Sequence, residues 1–213
     1  MTRQRTYGGV SAEERRAQRR NALLEAALEI LGTEGLDRLT VAGLCTRAGL
    51  NERYYYEQFD SREAVLEAVF DAIAEELAAA VLRALLTAPA DTRGKAHAAV
   101  AAGIGVLTDD PRKTRVALLV SSSSPELRSR TTHNIKAFAN LVAAEGIDFY
   151  GITDAEPDPA IGFRATYLVG GLMQTLASWS QGDLPMSRDQ LIDEITEVFV
   201  LLGEDLAHRI RHA

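Results

Sequence analysis

Apolar positions recur along most of the chain at three- and four-residue spacing, the period with which an α-helix buries one face. Leu23, Leu24, Ala27, Leu28 and Leu31 form the first such stripe, which stops near Gly35. Ser11 with Glu14 three residues later has the spacing of a capping box, so the first helix is predicted to begin there. Thr40, an N-cap residue type, opens a short predicted helix that runs to Ala48 and is broken by Gly49. Asn51 caps a third, to Phe59, and Ser61 opens a long fourth to about Leu86. The fourth carries Ala64, Val65, Ala68, Val69, Ala72, Ile73 and Leu77 in one stripe, and the Pro- and Gly-containing stretch 87–95 ends it.

Further helices are predicted at about 92–108, 111–122, 125–145, 158–181 and 187–211. Asp109-Asp110-Pro111, Ser124-Pro125, a loop at 146–159 and a tight link from Gly182 to Pro185 separate them. Strand alternation, internal repeats and low-complexity runs are absent from the pattern. The expected fold is therefore all-α. A small N-terminal three-helix domain is joined by the long fourth helix to a larger helical C-terminal domain. The domain division is placed at 1–14 for an N-terminal arm, 15–75 for the first domain and 76–213 for the second.

Composition changes this picture little. Apolar residues make up 46% of the 213, enough for a core, and charged residues 25%. No segment approaches the roughly 20 apolar residues that span a bilayer. The basic N-terminus is not followed by an apolar run, so a secretory signal is not expected. A single cysteine, Cys45, excludes an intramolecular disulfide and gives no metal cluster. A cytoplasmic location without membrane contact is the expectation.

Charge changes it more. The net charge of −7 argues at first against a polyanionic partner. Its distribution reverses that reading, because residues 1–20 hold six Arg (3, 5, 15, 16, 19 and 20) against Glu13 and Glu14. Residues 1–65 are neutral, and the whole excess of acid lies beyond them. Such asymmetry suits a basic end that meets a polyanion, although a basic arm can also be merely solvated.

The two short helices joined at Gly49-Leu50 have helix-turn-helix spacing, in which the second helix enters the DNA major groove. Ala48 is small where the helices meet, Gly49 can take a positive φ, and Val41, Leu44, Cys45, Leu50 and Phe59 supply apolar contacts. Any αα-hairpin shares this pattern.

The run LTVAGLCTRAGLNERYYYEQFDSREAVLEAVFDAI, residues 39–73, resembles the DNA-binding domain of the TetR family of bacterial regulators. Thr40, Ala48-Gly49, Tyr56 with Phe59, and Ser61, Arg62, Glu63 and Leu66 stand at the matching positions, and the likeness covers about residues 15–75. Gly170-Gly171-Leu172 followed by Trp179, Gly182 and Pro185 is more loosely similar to the penultimate helix of many members. The resemblance implies phosphate contacts from Thr40, Tyr56 and Arg62, which stands where Lys is usual. It implies that Asn51, Glu52, Arg53 and Tyr54 face the groove. Arg53 suits a bidentate contact to guanine and Asn51 one to adenine or a phosphate. Arg47 could reach a base edge or a phosphate, and Tyr55, standing where an apolar residue is usual, is expected to pack inward. The chain departs from the family with Arg53 in place of a common Gly, with the bulk of Tyr54, and with negative charge at Glu52 and Glu57, which repels phosphate. Each of these side chains can also be read as a solvated surface residue.

The resemblance further implies a homodimer through the last two helices, for which Phe163, Tyr167, Gly170, Leu191, Ile195, Val198 and Leu202 are the candidate contacts. The same residues could instead face the monomer's own core. A small, largely apolar effector in the second domain would shift the spacing of two recognition helices; His97, Phe138, Met173 and Trp179 are candidates for its pocket by size. The function expected is that of a homodimeric repressor which binds a palindromic operator in double-stranded DNA and is released by that ligand. A helical protein that acts through protein partners, with weak or non-specific DNA binding, is the alternative.

No catalytic constellation survives inspection and no cofactor is expected. Gly103-Ile104-Gly105 follows no strand, so it is not a dinucleotide loop. His208 and His212 lack a third ligand, His97 and His133 are isolated, and the Ser121–Ser124 run has no paired base.

Overall fold

Short polar side chains set most of the helix ends. In the computed structural model, which describes residues 11–119, 125–152 and 158–212, helix α1 (Ala12–Thr33) starts with the expected capping box. The Ser11 hydroxyl accepts from the Glu14 amide, and the Glu14 carboxylate accepts from the Ser11 amide. A 3-10 turn, Leu36–Arg38, which the periodicity does not announce, delivers Leu39 to the core. Helix α2 (Val41–Ala48) opens on Thr40, whose Oγ1 accepts from the Gly43 amide at 3.1 Å. It closes on Gly49 at φ 66°, a left-handed conformation that costs a side-chain-bearing residue about 1 kcal/mol.

Helix α3 (Glu52–Tyr56) is capped by Asn51 and is shorter than the predicted run to Phe59. The amides of Gln58 and Phe59 both donate to the Tyr55 carbonyl, so the chain turns there. That turn brings Phe59 inward, where it is 4% exposed. Ser61 then caps helix α4 (Arg62–Thr87) by accepting from the Ala64 amide.

The chain forms two compact units, Met1–Ala72 and Ile73–Ala213, and α4 contributes residues to both. In the first, α1 packs on α2 and α3. Leu23, Ala27 and Leu31 of α1, Leu44 of α2 and Tyr55 of α3 are fully buried, and Cys45 beside them is a buried free thiol. Burying each leucine stabilises the unit by roughly 1.5–3 kcal/mol.

The second unit contains α5 (Thr92–Thr108), α6 (Pro111–Thr114), α7 (Pro125–Tyr150), α8 (Pro159–Ser180) and α9 (Arg188–Arg211). Here α7 packs along α8 and α5 along α9. The predicted helix 111–122 is α-helical for one turn only and continues as a π-helical turn, Arg115–Leu119. The Ser121–Ser124 run, Arg3 and Arg5 lie outside the described residues. Helix α7 continues five residues past its predicted end, through Gly146, and stops at Gly151 with φ 62°. A helical glycine costs only about 1 kcal/mol. The added turn recovers that by placing Phe149 beneath the Lys95 ammonium, 5.2 Å from the ring centre, and Tyr150 against α9. A Cβ at Gly203 would lie 2.9 Å from the Tyr150 hydroxyl, so the small residue on α9 makes this approach possible.

The four expected pocket residues do not converge on the described cavity of the second unit. That cavity, about 470 Å³, has Glu76, Ala80, Ala102, Gly105, Lys113 and Arg188 among its lining residues. His97 is on the surface, its Nε2 3.8 Å from the Asp193 carboxylate. Phe138 packs against Ala139, Ala165 and Val169 between α7 and α8. Met173 is half-buried, and the Trp179 indole N–H donates to the Met186 carbonyl at 2.9 Å.

The expected dimer contacts divide into two sets. Leu191 and Ile195, 1% and 7% exposed, belong to the core of their own unit, in which α9 packs against α5 and α8. Phe163, Tyr167 and Val198 are exposed, while Gly170 and Leu202 are half-buried. Among the described residues no helix is long and apolar enough to cross a membrane.

Candidate nucleic-acid interface

Three successive tyrosines on a five-residue helix must point in different directions, since each step turns the side chain by about 100°. Tyr55 points inward. It is fully buried, and its hydroxyl donates to the Ser61 carbonyl at 2.7 Å, which pins α3 to the start of α4. Burial pushes its pKa up to about 12, with the neighbouring Tyr56, Glu63 and Cys45 adding to the shift. Tyr56 points outward and is 57% exposed, its ring held edge-on against Tyr55 at 5.2 Å between centroids. Tyr54 is half-buried because the Arg19 guanidinium lies over its ring, 4.6 Å from the centroid.

The remaining residues of the recognition segment are at the surface. Asn51, Glu52 and Arg53 are all exposed, and Asn51 uses its Oδ1 to accept from the Tyr54 amide at 3.2 Å, which leaves its NH₂ as donor. Thr40 likewise accepts at the α2 cap and keeps its hydroxyl proton to give. Arg62 is exposed and lies 3.5 Å from the Glu63 carboxylate.

Arg47 is placed differently from the expectation. Its guanidinium bridges Glu29 at 2.7 Å and Glu34 at 2.6 Å, and so ties α2 to the end of α1. The Glu34 hydrogen bond holds its pKa above the ordinary arginine value, with Glu29 contributing. A side chain with both ends of its fork on carboxylates braces the motif and is not poised for a base or a phosphate.

Two features escaped the sequence reading. The basic residues of α1 do not form a free arm. Arg16 donates to the Glu57 carbonyl at 3.2 Å, Arg19 covers Tyr54, and Arg20 lies over the Phe59 ring at 4.7 Å. They strap α1 onto the recognition helix and its exit. The second feature is Glu57, whose carboxylate meets Arg53 Nε at 3.3 Å and Arg19 Nη2 at 3.7 Å. Flanked by two guanidiniums, Glu57 belongs to a cluster of net charge +1, so the repulsion expected from it is offset locally. The Arg53/Glu57 spacing of four was the available signal.

Comparison with known proteins agrees with this architecture. Residues 23–69 match the family model of bacterial regulatory proteins of the tetR family. The chain is similar in fold to the fatty acid degradation regulator FadR from Bacillus halodurans. That likeness has a TM-score of 0.72 and 19% identity, over 85% of this chain and 94% of that one. A transcriptional regulator FadR from Bacillus subtilis in complex with stearoyl-CoA gives 0.67 at 20% identity, over 84% and 97%. A TetR family transcription regulator from Marinobacter aquaeolei gives 0.63 at 18%, over 89% and 97%. No curated protein matches the chain in sequence. The helix-turn-helix lies inside the segment that matches the tetR family model, and the chain shares the all-helical fold of these regulators.

Proposed function

We propose that the chain is a homodimeric repressor that binds a palindromic operator and is released when a small molecule occupies its C-terminal domain. The observation that carries the DNA-binding part is the outward face of the capped helix-turn-helix, with Arg53 85% exposed and Tyr56 57% exposed. Thr40, Tyr56 and Arg62 contact phosphates, and Asn51, Glu52, Arg53 and Tyr54 address the groove, Arg53 through a guanine. Arg47 acts as a brace. Functionally, residues 1–14 are an arm, 15–75 the DNA-binding domain and 76–213 the regulatory and dimerisation domain. The protein works in the cytoplasm by binding and not by catalysis.

Dimerisation is supported by apolar side chains left at the surface of α8 and α9. Phe163 and Tyr167 stack on each other at 6.4 Å and are 70% and 63% exposed, with Val198 and Leu201 also uncovered. A two-fold dimer would set two recognition helices about 34–36 Å apart, one DNA turn. Release by a ligand with a largely apolar body is supported by the stearoyl-CoA complex of the Bacillus subtilis neighbour. Such a ligand must bind one spacing of the recognition helices better than the other.

Selection of bound duplexes from a random pool tests the reading. It should return an inverted repeat, and binding to it should weaken steeply with salt, as phosphate contacts require. Recovery of no preferred sequence would refute it.

A further inference from the structure

We infer that Glu57 is a positioning residue for base readout: it holds the Arg53 guanidinium so that both Nη groups face the groove, and so sets the guanine preference at one operator position. The inference rests on the proposal that α3 enters the major groove. Its ground is which nitrogen is engaged. Glu57 Oε1 accepts from Arg53 Nε at 3.3 Å, a contact that does not consume the Nη1/Nη2 pair able to address guanine O6 and N7.

The carboxylate that does this is itself held. Its second oxygen lies 3.7 Å from Arg19 Nη2, and Arg19, only 24% exposed, is fixed over the Tyr54 ring. Arg16 from the same helix donates to the Glu57 carbonyl. The anchored end of the contact is therefore tied to α1, while Arg53 at 85% exposure depends on it for a fixed orientation.

Helix stability does not explain the pair. Arg53 precedes Glu57, the weaker order for a pair at a spacing of four, and Glu57 at the C-cap places its negative charge at the unfavourable end of the helix. Nor does affinity for phosphate explain it, since Glu57 lowers the charge of the Arg19/Arg53 cluster from +2 to +1. An orientation role accounts for a costly charge at this place.

Four full-length variants, E57A, E57D, E57Q and R53A, and the double variant R53A/E57A, are compared with the unaltered protein. Each is assayed on the selected operator, on operators changed at the base pair whose preference R53A relaxes, and on random duplex. E57A should lower the guanine preference by roughly three- to tenfold while strengthening binding to random duplex. Glutamine keeps an acceptor oxygen at the same reach, so E57Q should recover most of the preference. Aspartate keeps the charge but draws it back by one methylene, so E57D should behave like E57A at that base pair. E57A should add nothing in the R53A background. A preference restored by Asp and not by Gln would overturn the inference in favour of a charge effect. So would an unchanged preference in E57A, or an equal loss with Arg53 already removed. The Gln and Asp variants decide the matter even if the alanine variant fails to fold. If the unaltered protein selects no sequence at all, the operator-binding proposal fails first; if it selects one and E57A leaves its bases unchanged, only the role of Glu57 fails.

Discussion

Replacing Tyr55 by Phe isolates one hydroxyl in the core of the first unit. The ring stays, so no cavity forms, and the loss is the 2.7 Å bond from a fully buried donor to the Ser61 carbonyl. A bond of this kind contributes about 1 kcal/mol net, and more where its partner is left unsatisfied. The Ser61 carbonyl keeps one other donor, the Val65 amide at 3.4 Å, which is long. The expected loss is about 1–2 kcal/mol.

A second signature follows from the pKa near 12. An unfolded tyrosine releases its proton near pH ~10, whereas folded Tyr55 keeps it to about pH 12. Between those values the unfolded state binds fewer protons, so stability falls as pH rises through the window and is fully present below it. Tyr55→Phe should lack that fall. The chain has two units and its single tryptophan, Trp179, lies in the second, so its fluorescence does not report on the first. Amide hydrogen exchange at residues 52–70 near pH 7 measures the neutral loss, and urea midpoints by circular dichroism at pH 9 and 11 measure the alkaline one. A variant within about 0.5 kcal/mol of the parent, with the same alkaline fall, would mean that the hydroxyl does not hold α3 to α4.

Three further outcomes are expected. Phe163→Glu should raise the concentration at which dimers dissociate by about tenfold or more without loss of helix content, read by sedimentation. Leu191→Ala should instead cost about 2–5 kcal/mol of stability, because that side chain is 1% exposed within its own unit. Arg47→Gln should weaken binding to all duplexes while leaving the slope of affinity against salt unchanged; a slope shallower by about one would return Arg47 to the phosphate contacts.

The ends of the helices were legible where one side chain does the work, and less so where packing decides. Ser11, Thr40, Asn51 and Ser61 each cap the helix expected of them, because a cap bonds an amide three residues away and needs nothing else. The end of α7 was not legible. Gly146 reads as a breaker in isolation, yet its small helical cost is outweighed by what Phe149 and Tyr150 gain against α5 and α9. The end of α3 failed for a similar reason, since the turn at Glu57 is set by delivering Phe59 to the core.

At the interface, residue types were legible and partners were not. Tyr55 was expected inward from its position in the motif, and it lies there. The sequence leaves Arg47 able to reach a base edge or a phosphate, because the carboxylates it meets are 18 and 13 residues away, Glu29 near the end of one helix and Glu34 just past it. Nothing local predicts that meeting; it depends on how α1 and α2 pack. The same holds for the contact of Glu57 with Arg19. By sequence it is an acid on a DNA-facing helix and counts against binding. Once α1 is folded against α3, Arg19 and Arg53 close on it, and the sign of the local charge reverses. A charge on this surface therefore takes its meaning from the helix packed beside it. On the proposed reading, the arginines of α1 act on DNA recognition first through the geometry they impose on α3.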